Sequence, residues 1–320
     1  MSAKRDMSIR FMRTANRVLL IFSFVLSRIQ AKLMDWRMAL IFKSFVPRND
    51  DIFIVTYPRS GTTWLQQILY QLTTDGNMDF EHISQQVPFL ENALGKGRSL
   101  DRPSPRIFKT HLNYRMVPKG DCRYIYVARN GKDVAVSYYY YHKSHMGFGR
   151  SFNEFFNQYM RGKVGYGSWF AHVKDWWRHR NDPNVLFLTY EEMSEDLEAA
   201  IKKISAFCNI EINPEALPGI LERCSFAFMK QHESKFDTLM EMAWERRLQL
   251  NSFFRKGQTA DWKGHLDNRQ EEAFEKEFAA RMGDLGMDGA TLGGPVRVTS
   301  GQVENAVTPN STATSAALIR

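Results

Sequence analysis

The sequence predicts an α/β domain built on a doubly wound parallel β-sheet flanked by helices. Short runs of β-branched and aromatic residues recur along the chain, each followed by polar turn residues and then by apolar residues at helical spacing. The tips of these runs carry Arg, Lys, Ser, Thr and His, which puts ligand-binding groups at the carboxyl ends of strands, where doubly wound sheets bind. A length of 320 residues with 43% hydrophobic content gives ample core for one large domain.

The stretch 52–70 organises the rest. Ile52, Phe53, Ile54 and Val55 read as a buried strand, residues 57–63 as a turn, and Trp64, Leu65, Ile68, Leu69 and Leu72 as one face of a helix running to about Thr73. A tight strand-to-helix loop aims backbone N–H groups and the positive end of the helix dipole at one point, which suits phosphate or sulfate. Arg59 adds a full charge, Gly61 lets the backbone approach an anion, and Ser60, Thr62 and Thr63 supply hydroxyl donors. A Walker A loop needs Lys directly after its last Gly and a hydroxyl for Mg²⁺; here Thr62 follows Gly61, which counts against ATP hydrolysis.

Upstream, residues 1–48 hold ten Lys or Arg against Asp6 and Asp35, while the remaining charges balance. The net +8 therefore belongs to this segment, and the main domain has no nucleic-acid signature. The apolar run 18–26 is too short for a membrane span, which needs about 20 residues. It resembles the apolar region of a signal peptide but lacks a clear cleavage site. Ile29, Leu33, Trp36, Leu40 and Ile41 share one helical face. Two readings stay open for residues 1–47: peripheral membrane contact through residues 1–43 at the cytoplasmic face, or a helix covering the domain. Cys122, Cys208 and Cys224 are odd in number and widely spaced, so neither a disulfide framework nor a metal site is indicated, and a reducing, cytoplasmic setting fits.

Gly95, Gly97, Pro103 and Pro105 mark a long irregular connection to a second strand, 106–112, whose end presents Lys109, Thr110 and His111. The third strand, 123–128, ends in Arg129 and leads to a helix carrying Ser137; these two are candidates for a second anion. An aromatic helical stretch through Trp169 and Trp177, a fourth strand at 184–190 and a helix through Leu197, Ile201, Ile204 and Phe207 follow. Pro214 and Pro218 punctuate the next connection, and 253–263 is a basic loop flanked by aromatics. A helix from about Asn268 to Met282 closes the domain, taken as 48–288. Residues 289–320, rich in Gly, Ser and Thr, read as a disordered tail.

Taken together, the ordered motifs TYPRSGTTW, FKTHL, VARNGKDVAVSYY, GSWFAHVKDWW, LTYEEM and FRKGQTADWK make residues 46–286 resemble the cytosolic-type sulfotransferases. These are P-loop-like enzymes that transfer a sulfuryl group from 3′-phosphoadenosine 5′-phosphosulfate (PAPS) to an acceptor hydroxyl or amine. The resemblance implies that Arg59, Ser60, Gly61, Thr62 and Thr63 take the 5′-phosphosulfate, with Trp64 near the adenine. It implies that Arg129, Ser137, Arg255, Lys256 and Gly257 hold the 3′-phosphate and that Tyr190, Ser225 and Phe226 touch the adenosine. His111 becomes the general base, a task imidazole suits at neutral pH. Lys109 and Arg59 become the cations at the bridging oxygen of the leaving phosphate. No metal is expected, since sulfate carries less charge than a terminal phosphate.

The chain departs from the family pattern in places. Arg59 stands where Lys is usual, which spreads the charge over a rigid fork. Cys224 replaces a Thr near the adenosine, and Ala260 replaces the Gly of the late loop, a strained choice if φ there is positive. The family's Lys-Thr-Val-Glu dimer pattern appears as Lys263, Asp267, Asn268 and Glu272, two of four positions changed, which leaves a dimer open. The acceptor is read as a small apolar or aromatic molecule from Val87, Pro88, Phe89, residues 138–141, His145, Met146, Phe148, residues 236–242 and Trp244. Two other readings stand beside the enzyme: a P-loop kinase, which would require Mg²⁺, and a non-catalytic PAPS-binding protein.

Overall fold

The computed structural model describes residues 40, 42, 45–237, 253–287 and 289–294. At its centre is an all-parallel sheet of β1 (Ile52–Thr56), β2 (Ile107–Thr110), β3 (Arg123–Ala128) and β4 (Val185–Thr189), in the order β2-β1-β3-β4. Helices α1 (Thr62–Thr73), α2 (Ile83–Gln86) and α3 (Leu90–Gly95) join β1 to β2. Between β3 and β4 lie α4 (Gly131–His145), α5 (Phe152–Met160) and α6 (Trp169–Trp177). After β4 come α7 (Tyr190–Glu195), α8 (Leu197–Cys208), α9 (Leu217–Arg223) and α10 (Phe226–Gln231), and then α11 (Asn268–Met282) and α12 (Gly289–Leu292).

Parallel strands must be covered on both faces, and alternate side chains of each strand divide between two cores. Phe53 and Val55 of β1, with Tyr124 and Tyr126 of β3, pack on Trp169, Trp176 and Phe274, an aromatic layer. Ile52, Ile54, Ile125 and Val127 pack on Leu65, Leu69, Ile201 and Ile204, an aliphatic one. At the amino end of the sheet Arg106 meets Asp51 through two bonds, Nε to Oδ1 at 2.7 Å and Nη2 to Oδ2 at 2.6 Å. Phe45 closes over this pair against Phe108, and Phe42 packs on the same core, so packing on the domain reaches upstream of the boundary at 48 read from sequence.

Other details differ from the sequence reading. The connection from β1 to β2 contains α2 and α3, which are too short to show a period. Pro218 opens α9 instead of interrupting a loop, because a missing N–H costs nothing in a first helical turn. Order continues past 289: Leu292 is buried in the aromatic core and Asn130 Nδ2 donates to the Thr291 carbonyl at 3.3 Å, so a tail could begin only after Gly294. The N-terminal amphipathic segment, the lining positions 238–242 and Trp244, and the remainder of the tail lie outside the described residues. Among the described residues no helix is long and apolar enough to cross a membrane.

Candidate active site

A cleft of about 1210 Å³ opens at the carboxyl ends of the strands, and every predicted site residue except Ser60 lines it. Its first wall is the loop from β1 to α1. Arg59 (φ 71) and Gly61 (φ 97) are both left-handed, and Ser60 N–H donates back to the Tyr57 carbonyl at 3.2 Å. Only glycine serves at 61: besides its φ, a Cβ there would lie 3.0 Å from the Tyr190 ring. As N-cap of α1, Gly61 offers no side-chain acceptor, so the first N–H groups of the helix have no capping side chain. Ser60 Oγ is buried without a hydrogen-bond partner, and Thr62 Oγ1 bonds Thr56 Oγ1 at 2.6 Å. An anion seated here would satisfy these donors, which is the fit the phosphosulfate requires.

Arg59 reaches inward. Its Nε donates to Ser137 Oγ at 3.2 Å and its Nη2 to the Phe253 carbonyl at 3.1 Å, with the guanidinium over the rings of Tyr141 and Phe253. Burial lowers its pKa to about 10. Arg129, at the tip of β3, donates Nη1 to the Arg59 carbonyl and Nη2 to the Gln258 carbonyl, each at 3.0 Å. It stacks 4.1 Å from the Tyr190 ring centroid, and its Nε is buried and unpartnered.

The late loop, residues 253–262, forms the opposite wall. Asp133 accepts from Ala260 N–H at 2.8 Å and from Trp262 N–H at 2.9 Å. Tyr190 O–H donates to the Gly257 carbonyl at 3.2 Å, and the Phe226 ring sits where a Cβ on Gly257 would be. Ala260 does adopt positive φ, at 59°, so the loop keeps the backbone course that glycine would take more easily. Arg255 and Lys256 both pair with Asp261, Lys256 at 2.7 Å. Ser225 Oγ accepts from Phe228 N–H as the cap of α10, leaving its own proton to donate. At Cys224 the backbone, not the thiol, faces Trp64. The thiol is buried in the aliphatic core and pushed up to about 12 by that burial, and it is the Cys224 carbonyl that takes Trp64 Nε1–H, at 2.7 Å.

The tip of β2 supplies the third wall. His111 Nδ1–H donates to the Thr56 carbonyl at 2.8 Å, which fixes the tautomer and leaves the lone pair on Nε2. From behind, Tyr126 O–H bonds His172 Nδ1 at 2.9 Å, and His172 Nε2–H donates to the His111 carbonyl at 3.1 Å. Burial, with Lys109, His172 and Arg59 adding, pushes His111 down to about 3. Burial, with Arg59 adding, pushes Lys109 down to about 8.

Phe89, Tyr138, Tyr141 and Met146 face the cleft as expected, whereas Val87 and Phe236 are buried in cores and Phe148 packs on the aromatic layer. Asp237, within the predicted lining 236–242, faces the cleft with its Oδ2 3.7 Å from His145 Nε2. One acid escaped the sequence reading: Glu91, which stands behind the β2 tip. A single acid in an otherwise apolar stretch, as in Pro-Phe-Leu-Glu, is the faint signal that could have marked Glu91. Among the described residues no group of three His, Cys, Asp or Glu could hold a metal ion.

Residues 49–286 match the sulfotransferase domain family. Sulfotransferase 1 family member D1 of Mus musculus is 40% identical over 257 residues, which cover 76% of this chain and 86% of that protein. Sulfotransferase 1E1 of Homo sapiens is 38% identical, with 75% and 86% covered. The crystal structure of mouse sulfotransferase SULT7A1 complexed with PAP, the desulfated nucleotide, superposes with a TM-score of 0.60 at 32% identity, covering 77% of this chain and 88% of that one. The chain belongs to the sulfotransferase family and is a PAPS-dependent sulfotransferase.

Proposed function

We propose that the nucleotide lies across the strand ends, its 5′-phosphosulfate in the loop of Arg59, Ser60, Gly61, Thr62 and Thr63 and its 3′-phosphate between Arg129, Ser137 and the late-loop residues Arg255, Lys256 and Gly257. Trp64, Tyr190, Ser225 and Phe226 enclose the adenosine. PAPS supplies the activated sulfuryl group. The chain supplies a base and cations: His111 Nε2 takes the proton of the acceptor hydroxyl, and Lys109 and Arg59 offset charge growing on the leaving oxygen. These cations do the work a metal ion does elsewhere, so the transfer is read as metal-independent. The acceptor is a small apolar or aromatic alcohol or amine, held among Phe89, Tyr138, Tyr141 and Met146. Three buried free thiols fit action in the cytoplasm.

The observation that carries this reading is the bond from His111 Nδ1–H to the Thr56 carbonyl. It ties the imidazole to the strand that ends in the anion loop, so base and phosphosulfate share one rigid support. The test is His111→Ala. PAP binding by calorimetry should stay within a few-fold of wild type while kcat falls on the order of 10³-fold. Turnover surviving in that variant would overturn the assignment of the base.

A further inference from the structure

Glu91 lies in the first turn of α3, and the segment before it is lashed to the edge of the sheet. Phe89 forms a parallel bridge with Lys109, and Lys109 N–H donates to the Pro88 carbonyl at 3.0 Å. Glu91 Oε1 accepts two bonds from the tip of β2, from Thr110 Oγ1–H at 2.9 Å and from His111 N–H at 3.0 Å. Its Oε2 is buried and has no hydrogen-bond partner. The charged and titratable groups around it are Lys109 of β2, His111 just past its end and Tyr166 from the loop between α5 and α6. Arg59 acts on both Lys109 and His111, and His172 acts on His111.

We propose that Glu91 is a positioning residue for sulfuryl transfer. By anchoring Thr110 and His111 it holds the β2 tip in place, and its carboxylate supplies the negative charge beside Lys109. A buried ammonium facing Arg59 would otherwise shed its proton, since both burial and a like charge disfavour the charged form. Burial raises Glu91 to about 7 and lowers Lys109 to about 8, and the opposite charge of each draws the other back toward its ordinary value. Between those two pH values both groups are ionised. This inference rests on Lys109 being the cation at the nucleotide's 5′ end.

Glu91→Gln separates the two duties, because the amide oxygen still accepts both bonds while the charge is gone. The experiment is PAP affinity by calorimetry as a function of pH. Wild type should weaken as pH rises through the Lys109 transition near 8. In Glu91→Gln the same weakening should set in lower by about half a pH unit or more. Glu91→Asp keeps the charge and should leave the transition in place, even where the shorter side chain slackens the anchor and lowers kcat. Coincident profiles for wild type and Glu91→Gln would overturn the inference. If Glu91→Gln does not fold, a transition displaced in the charge-retaining Glu91→Asp overturns it instead. A Lys109→Ala variant with the wild-type pH dependence would show that Lys109 is not the titrating cation, a failure of the underlying site assignment and not of the Glu91 role alone.

Discussion

Two walls of the cleft, the loop at 57–64 and the late loop, are built on opposite plans. The loop at 57–64 is local: strand, left-handed turn and helix follow one another, and its donors are chiefly backbone N–H groups. The late loop arrives from far along the chain, with 194 residues between Arg59 and Phe253, and much of it lacks regular structure. Side chains of the sheet domain hold it: Asp133 takes two of its N–H groups, while Arg129, Tyr190 and Arg59 donate to carbonyls of Gln258, Gly257 and Phe253. A backbone site is ordered as soon as its supersecondary unit forms; an imported one depends on a few side chains that can be removed singly.

That contrast can be broken first at Asp133. Replacing it with Ala leaves two late-loop N–H groups without their charged acceptor, and bonds to charged groups contribute about 1.5–3 kcal/mol each, so PAP affinity should fall by about 100-fold or more. Near-UV circular dichroism of the aromatic core should be unchanged. A uniform loss of core signal would mean that the loop and the domain are one cooperative unit.

The second test uses pH. Turnover should fall on the alkaline side near 8, where Lys109 loses its proton. His111 should contribute no acid limb until well below 6.5, because burial keeps it neutral and able to accept a proton, and any limb near 7 tracks Glu91. The late loop should contribute no limb near neutrality: burial pushes Asp261 up, but Lys256 and Arg255 outweigh it and hold the carboxylate below its ordinary range. An acid limb at the ordinary histidine value that persists in Glu91→Gln would contradict the burial of His111. The smallest effect is expected from Ala260→Gly, which relieves a left-handed alanine costing about 1 kcal/mol and should tighten PAP binding by up to about fivefold.

The same difference explains how much the sequence disclosed. The four strands and the loop at 57–64 are local words, with hydrophobic run, turn residues and helical period adjacent in the chain, and the structure has all of them. The helix predicted at about 268–282 is α11. What stayed hidden depends on tertiary placement. One- and two-turn helices such as α2 and α3 have no period to display, and Glu91 acquires its surroundings only because that segment folds against β2. Motif position located Cys224 in the chain but could not say that its carbonyl, not its sulfur, would face Trp64. Val87, Phe148 and Phe236 share the apolar character of true lining residues, yet the helix ends and loop that carry them turn them toward the cores. Asp267 of the altered dimer pattern caps α11 through Gln270 N–H at 2.8 Å, a role its residue type alone would suggest.

Arg129 bridges the carbonyls of Arg59 and Gln258, one from each wall. On the ribosome, where domains fold as the chain emerges, β1, β3 and the loop between β1 and α1 can assemble long before residue 258 is made. Until then the Arg129 fork has its first partner only, and the proposed nucleotide site is half built. A nascent chain can thus own a complete sheet without being able to hold PAPS, and acquisition of nucleotide affinity times the docking of the last-made wall onto the first.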